Sequence, residues 1–177
     1  MGSLIPGWEG PIRAERLELR AGYARSQQNS AQPTGFEMIP VLPSLVVPLT
    51  KPTGPAWCRG RFEWNPELFF AEIYTPYNRP LYGISLLKFN YALYPDSRLQ
   101  PYITGAFGGV RGHIDRPETG SDYNFLIQSG IGTRYQMSEN TALILEYRRT
   151  HISNGGTNER NSGIDSDTWL AGVSYKR

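Results

Sequence analysis

Thr141-Ala142-Leu143-Ile144-Leu145-Glu146-Tyr147-Arg148-Arg149-Thr150-His151 decides the fold. Leu143, Leu145 and Tyr147 fall on one face and Ile144, Glu146 and Arg148 on the other, the period of two that marks a β-strand. The same alternation returns along the chain. Tyr123 to Tyr135 sets Phe125, Ile127 and Ile131 against Gln128, Gly130, Gly132 and Arg134. Tyr82 to Tyr94 sets Leu87, Phe89, Tyr91 and Leu93 against Lys88, Asn90 and Ala92. Thr168 to Lys176 sets Trp169, Ala171, Val173 and Tyr175 against Leu170, Gly172 and Ser174.

Four further strands are predicted with less regular patterns. Arg16 to Ser26 alternates Leu17, Leu19, Ala21 and Tyr23 with Glu18, Arg20, Gly22 and Ala24. Phe36 to Val47 carries Pro40 and Pro43 and is expected to be irregular or bulged. Arg59 to Tyr74 opens with Phe62 and Trp64 against Arg61 and Glu63, and Pro66 is expected to change its register. Gln100 to Val110 is glycine-rich and its facing stays open. Tight turns at 95–98 and 137–140 alternate with long polar connections at 27–35, 75–81, 112–122 and 152–167. Short turns at one end and long loops at the other mark barrels of the bacterial outer membrane. The segment 48–58 is long where a short turn is expected.

The fold class that follows is all-β, an eight-stranded antiparallel transmembrane β-barrel over residues 16–177, preceded by an N-terminal lead-in over 1–15. Met1-Gly2-Ser3 reads as a tag-like start in place of a removed signal peptide, and Ser3 to Pro11 as a plug or periplasmic lead-in. The bulk composition agrees. Charged residues make up 19% of 177, and only Lys51, Lys88 and Lys176 are lysines, a poor hydration shell for a soluble exterior. A soluble lipocalin-like barrel, with its apolar face inward, is the competing architecture. Against it stand tyrosines at strand ends (Tyr82, Tyr94, Tyr123 and Tyr135), where an aromatic girdle meets the interface. Glu18, Arg20, Arg61, Glu63, Lys88, Arg134, Glu146 and Arg148 would neutralise one another inside. The formal net charge of +2 and the lack of a basic patch exclude a nucleic-acid partner. Cys58, the one cysteine, reads as an unpaired thiol in a turn.

Chemistry concentrates where the seventh strand leaves the membrane. His151 shares the parity of Leu143 and Tyr147, so His151 and Ser153 are expected to face outward, about 7 Å apart along the strand. A histidine on such a row belongs near the interface and beside a partner. A hydroxyl and an imidazole supply a nucleophile and a base, and a carboxylate is needed to orient the ring. Asp165 is the nearest candidate on the returning strand, with Asp167 as an alternative and Glu159 a weaker one. Gly155 and Gly156 can aim N–H groups at a developing oxyanion, and Asn161 or Asn154 can donate beside them. His113, near Asp115 and Arg111, reads as a solvated loop residue. Asp165 and Asp167 alone make a weak calcium site. Whichever of Arg148 and Arg149 faces out would meet a headgroup phosphate.

His151-Ile152-Ser153-Asn154 followed by Asn161-Ser162-Gly163-Ile164-Asp165 resembles the lipid A 3-O-deacylase (PagL-type) family, eight-stranded outer-membrane barrels with a Ser–His–acid triad facing the outer leaflet. The sharp match covers about 25 residues near the C-terminus. The resemblance implies an esterase that removes the 3-O-linked acyl chain of lipid A, with lipopolysaccharide and the membrane as partners and no metal or organic cofactor. It makes His151 the general base, Ser153 the nucleophile, Asp165 the orienting acid, and Asn161 with the N–H groups around Gly155 and Gly156 the oxyanion donors. Asp165 stands where that family carries a glutamate. A homodimer stays open. A non-enzymatic barrel with binding or structural loops is the alternative.

Overall fold

The computed structural model describes residues 13–26, 34–114 and 118–177. The lead-in up to residue 12 and loop residues 27–33 lie outside them. Antiparallel strands run β1 (Arg16–Ser26), β2 (Glu37–Pro48), β3 (Gly60–Trp64), β4 (Glu67–Thr75), β5 (Arg79–Leu93), β6 (Leu99–Arg111), β7 (Tyr123–Gln136), β8 (Thr141–Ser153) and β9 (Ile164–Lys176). β1 bonds to both β2 and β9, which closes the ring. β3 and β4 both lie between β2 and β5, so the nine segments make eight staves. Closure removes every free sheet edge, as a spanning sheet requires. No described helix is long and apolar enough to cross a membrane.

Pro66 explains the broken stave. Against β2 the register runs straight through, Val47 facing Trp64 and Ser44 facing Glu67. Against β5 it slips: Trp64 faces Phe89 but Glu67 faces Ser85, three residues on one strand against four on the other. The extra residue belongs to β5, whose register against β6 shifts at the same place, where Leu86 and Leu87 both face out between buried Ser85 and Lys88. β2 is more regular than its prolines suggest. It pairs in one register with β4 from Met38 to Ser44, and the single shift falls between Glu37 and Met38. Each proline forfeits only one ladder N–H.

The apolar parity faces out. Leu17, Leu19, Ile127, Ile131, Leu143, Leu145, Trp169 and Val173 are exposed on the wall, the reverse of a lipocalin. Their cost in water is removed by lipid. β6 resolves the same way, with Tyr102, Thr104 and Ala106 inward and Ile103 and Phe107 outward.

The lumen has two storeys. Its lower half holds four carboxylates, Glu18, Glu63, Glu67 and Glu146, against four cations, Arg20, Lys88, Arg134 and Arg148, all buried. Glu67 is the hub. It accepts from Arg20 at 2.9 Å, from Lys88 at 2.7 Å and from Arg148 through both oxygens at 2.5 and 2.8 Å. Arg134 joins Glu18 at 2.5 Å to Glu63 at 2.8 Å, while Glu18 also pairs with Arg20 and Glu146 with Arg148. Arg61, half-buried at the lower rim, bonds Glu63 and Glu15 at 3.0 Å each. The upper half is apolar: Met38, Leu42, Ile73, Leu81, Leu126 and Ile152 belong to one cluster capped by Phe36 and Ile114. At the lower end the long 49–59 connection folds on itself through a 3-10 turn, Ala56–Cys58, with Tyr94 donating to the Trp57 carbonyl at 2.6 Å. Cys58 is a free thiol there.

Candidate active site

β8 and β9 position the site by register. His151 lies directly opposite Asp165 across the β8–β9 ladder and opposite Ile127 across the β7–β8 ladder. Its ring alternates with buried Thr150 and Ile152, so it faces the outer wall, as parity predicts. The imidazole is 37% exposed and the Asp165 carboxyl 48%, open enough for a lipid headgroup to reach them. Nδ1 of His151 is 3.0 Å from Asp165 Oδ1. With Nδ1–H donating to the carboxylate, Nε2 carries the free lone pair.

Gly163 makes room for this ring. A Cβ there would stand 2.6 Å from His151 Cε1 and 3.3 Å from Nε2, and its φ of 78° lies in the left-handed region. Ser153, the last residue of β8, lies on the same face opposite Phe125. Among the described residues its hydroxyl makes no hydrogen bond to His151.

The loop after Ser153 is built around Asn154, which is buried. Its backbone N–H donates to Asn161 Oδ1 at 2.9 Å, and its Oδ1 accepts from Gly156 N–H at 2.8 Å. Its amide NH2 donates to the carbonyls of Thr119 and, at 2.8 Å, Arg160. Asn154 and the Gly156 N–H are therefore engaged in shaping the loop. The Asn161 amide NH2 is on the side away from its bonded oxygen. Gly155, at φ 65°, packs where a Cβ would strike the Phe125 ring at 2.6 Å. The β6–β7 loop braces the assembly, because Gly163 N–H donates to the Glu118 carbonyl at 2.7 Å.

Asp167, one outward position below Asp165, is engaged elsewhere. It accepts the Tyr147 hydroxyl at 2.5 Å and lies 3.8 Å from Arg149. Arg148 points into the lumen and Arg149 outward. The outward charges on β9 were legible only by running its alternation back to Ile164, past residues too polar to announce a strand. Glu159 lies apart, on the rim beside His113. His113 bonds Asp122 at 2.8 Å, and Asp115 lies outside the described residues. No cluster of three or more His, Cys, Asp or Glu suited to a metal occurs among the described residues.

An aromatic belt sets the depth. Trp169 lies 6.3 Å from Tyr23 and 6.0 Å from Tyr147 by ring centroids. Such rings sit at the membrane interface. His151 is four residues beyond Tyr147, about 13 Å along the strand and less along the membrane normal. That is headgroup depth, on the side of the long loops.

Residues 54–174 match the family model for lipid A 3-O-deacylase (PagL). No curated protein matches the sequence. The fold is similar to that of the outer-membrane enzyme PagL, with a TM-score of 0.66 at 16% identity, covering 89% of this chain and 97% of that one. Neisserial surface protein A is similar at a TM-score of 0.61 and 18% identity, covering 95% and 100%. The N-terminal barrel of OprF from Pseudomonas aeruginosa follows at 0.50 and 14%, covering 93% and 98%. At these identities the structural likenesses speak for the barrel. The family rests on the sequence match, which spans more than half of the 177 residues: the chain belongs to the lipid A 3-O-deacylase (PagL) family of bacterial outer-membrane β-barrels.

Proposed function

We propose that the protein is an outer-membrane esterase that cleaves the 3-O-linked acyl chain of lipid A by a Ser–His–acid mechanism. The observation that carries this reading is the His151–Asp165 hydrogen bond of 3.0 Å on the outer wall, with Ser153 two positions along the same face. Asp165 fixes the imidazole tautomer, and Nε2 takes the Ser153 proton once rotation about χ1 brings the hydroxyl to the ring. Catalytic hydrogen bonds of this kind commonly tighten only when substrate is bound.

Ser153 Oγ then attacks the ester carbonyl. The Asn161 amide NH2 and the Gly155 N–H face the developing oxyanion. Collapse breaks the bond to the sugar oxygen, which leaves with the proton held on His151. Water, deprotonated by the same histidine, opens the acyl-enzyme and releases a hydroxy fatty acid. The chain being removed has an apolar path below the site. A cavity of about 650 Å³ on the wall is lined by Ile103, Ile131, Leu145, Tyr147 and Trp169.

The test is mass spectrometry of lipid A from cells carrying the protein in their outer membrane. The wild type is expected to remove the mass of one hydroxyacyl chain, and Ser153→Ala to leave the acyl count intact. An unchanged acyl count with a folded wild-type barrel leaves the non-enzymatic alternative standing.

A further inference from the structure

One outward row below His151, the ladders align Arg149 on β8, Asp167 on β9, Arg25 on β1, Glu37 on β2 and Thr75 on β4. The two arginines straddle Asp167 with their Cα atoms two strand spacings apart, about 10 Å. We propose that Arg149 and Arg25 form a subsite for the phosphate of an outer-leaflet glycolipid, adjoining the ester-cleaving pair.

Both carboxylates of the row are held by hydroxyls. Glu37 accepts from Tyr23 at 2.9 Å and from Thr75 at 3.1 Å, and Asp167 accepts from Tyr147 at 2.5 Å. The arginines reach them only at the edge of ion-pair distance, 3.8 Å for Arg149 to Asp167 and 3.9 Å for Arg25 to Glu37. Their side chains are 55% and 68% exposed. The contrast with Arg148, one residue away, is direct. Its guanidinium is buried and bonds Glu67, Glu146 and Gln128.

Two planar guanidinium groups, each more than half exposed, match a phosphate, which accepts paired N–H bonds. A cavity of about 720 Å³ opens beside them, lined by Arg25, Glu37, Thr75, Asp167 and Trp169. Arg149 is two positions from His151, about 7 Å along the strand. Ser153, where the ester would lie, is four positions from Arg149, about 13 Å along the strand, a gap that the sugar headgroup and two long arginine side chains span together. The subsite thus names a feature of the substrate in the deacylase reading and rests on it for its role, though binding is measurable without turnover.

The experiment uses Ser153→Ala protein in detergent micelles, titrated with phosphorylated lipid A and with phosphatase-treated lipid A and read by native mass spectrometry. Phosphorylated lipid A is expected to bind about tenfold more tightly, the gain of a charge-assisted contact in affinity terms. Adding Arg25→Gln and Arg149→Gln together is expected to bring the ratio close to one, and Arg149→Lys alone to preserve much of it. A shift in gel mobility on boiling confirms that each barrel is folded. A ratio of one in the Ser153→Ala parent, or a tenfold ratio that survives the double substitution, overturns the subsite. Turnover by the wild type is read separately: a persisting preference without hydrolysis keeps the subsite and removes the esterase.

Discussion

Glu67 and Asp165 are carboxylates on the same barrel, each bonded to a nitrogen from β8, and they do opposite things. Glu67 is buried and chelated by three cations, every one of which it holds in place. Asp165 is half-exposed and orients a ring that keeps one nitrogen open. The difference comes from one residue of parity: β8 sends Arg148 inward and Arg149 and His151 outward. A charge lattice saturated in the lumen stabilises the barrel, and the same chemistry left half-satisfied on the wall is available to a substrate.

The largest expected effect is on the wall. Ser153→Ala abolishes deacylation, a loss of about 10⁴-fold or more measured by lipid A turnover in micelles, with urea unfolding unchanged. Asp165→Asn follows at about a thousandfold, because the amide favours the wrong imidazole tautomer, while Asp165→Glu retains turnover. The lumen responds in the other currency. Glu67→Ala takes from Lys88 its carboxylate partner and from Arg20 and Arg148 one of two or more, and is expected to cost about 3–5 kcal/mol in unfolding, with turnover per folded barrel preserved. If Glu67→Ala instead lowered turnover without changing stability, the division between wall and lumen would be wrong. Smallest is Gly163→Ala. Its Cβ presses on the His151 ring and its φ suits glycine, so a loss of ~1 kcal/mol or more and a modest fall in kcat are expected together.

Much of this comparison was legible in the sequence. Parity alone put Leu143, Leu145 and Tyr147 outside and Glu146 and Arg148 inside, and the count of alternating segments gave eight staves, although the connection expected to be long at 75–81 spans only 76–78. Glu67 was missed because Pro66 interrupts the pattern, although the inward positions 61, 63, 65 and 67 run straight through it. β9 starts at Ile164, four residues before Thr168, because Asp165, Ser166 and Asp167 alternate in facing but not in hydropathy. That early start makes His151 and Asp165 ladder partners instead of a strand residue and a loop residue. The role of Asn154 as the knot of the loop, and the brace from Glu118, depend on contacts between segments distant in sequence, which no local pattern carries.

The claim that a histidine-activated serine sits on the outer wall is tested most directly by a fluorophosphonate ester. After labelling the folded protein, trypsin releases residues 150–160, a peptide whose one serine is Ser153. The expected result is a phosphonate adduct on that peptide in the wild type and its loss in His151→Ala. No adduct there in the folded wild type, or an undiminished adduct in His151→Ala, contradicts the account.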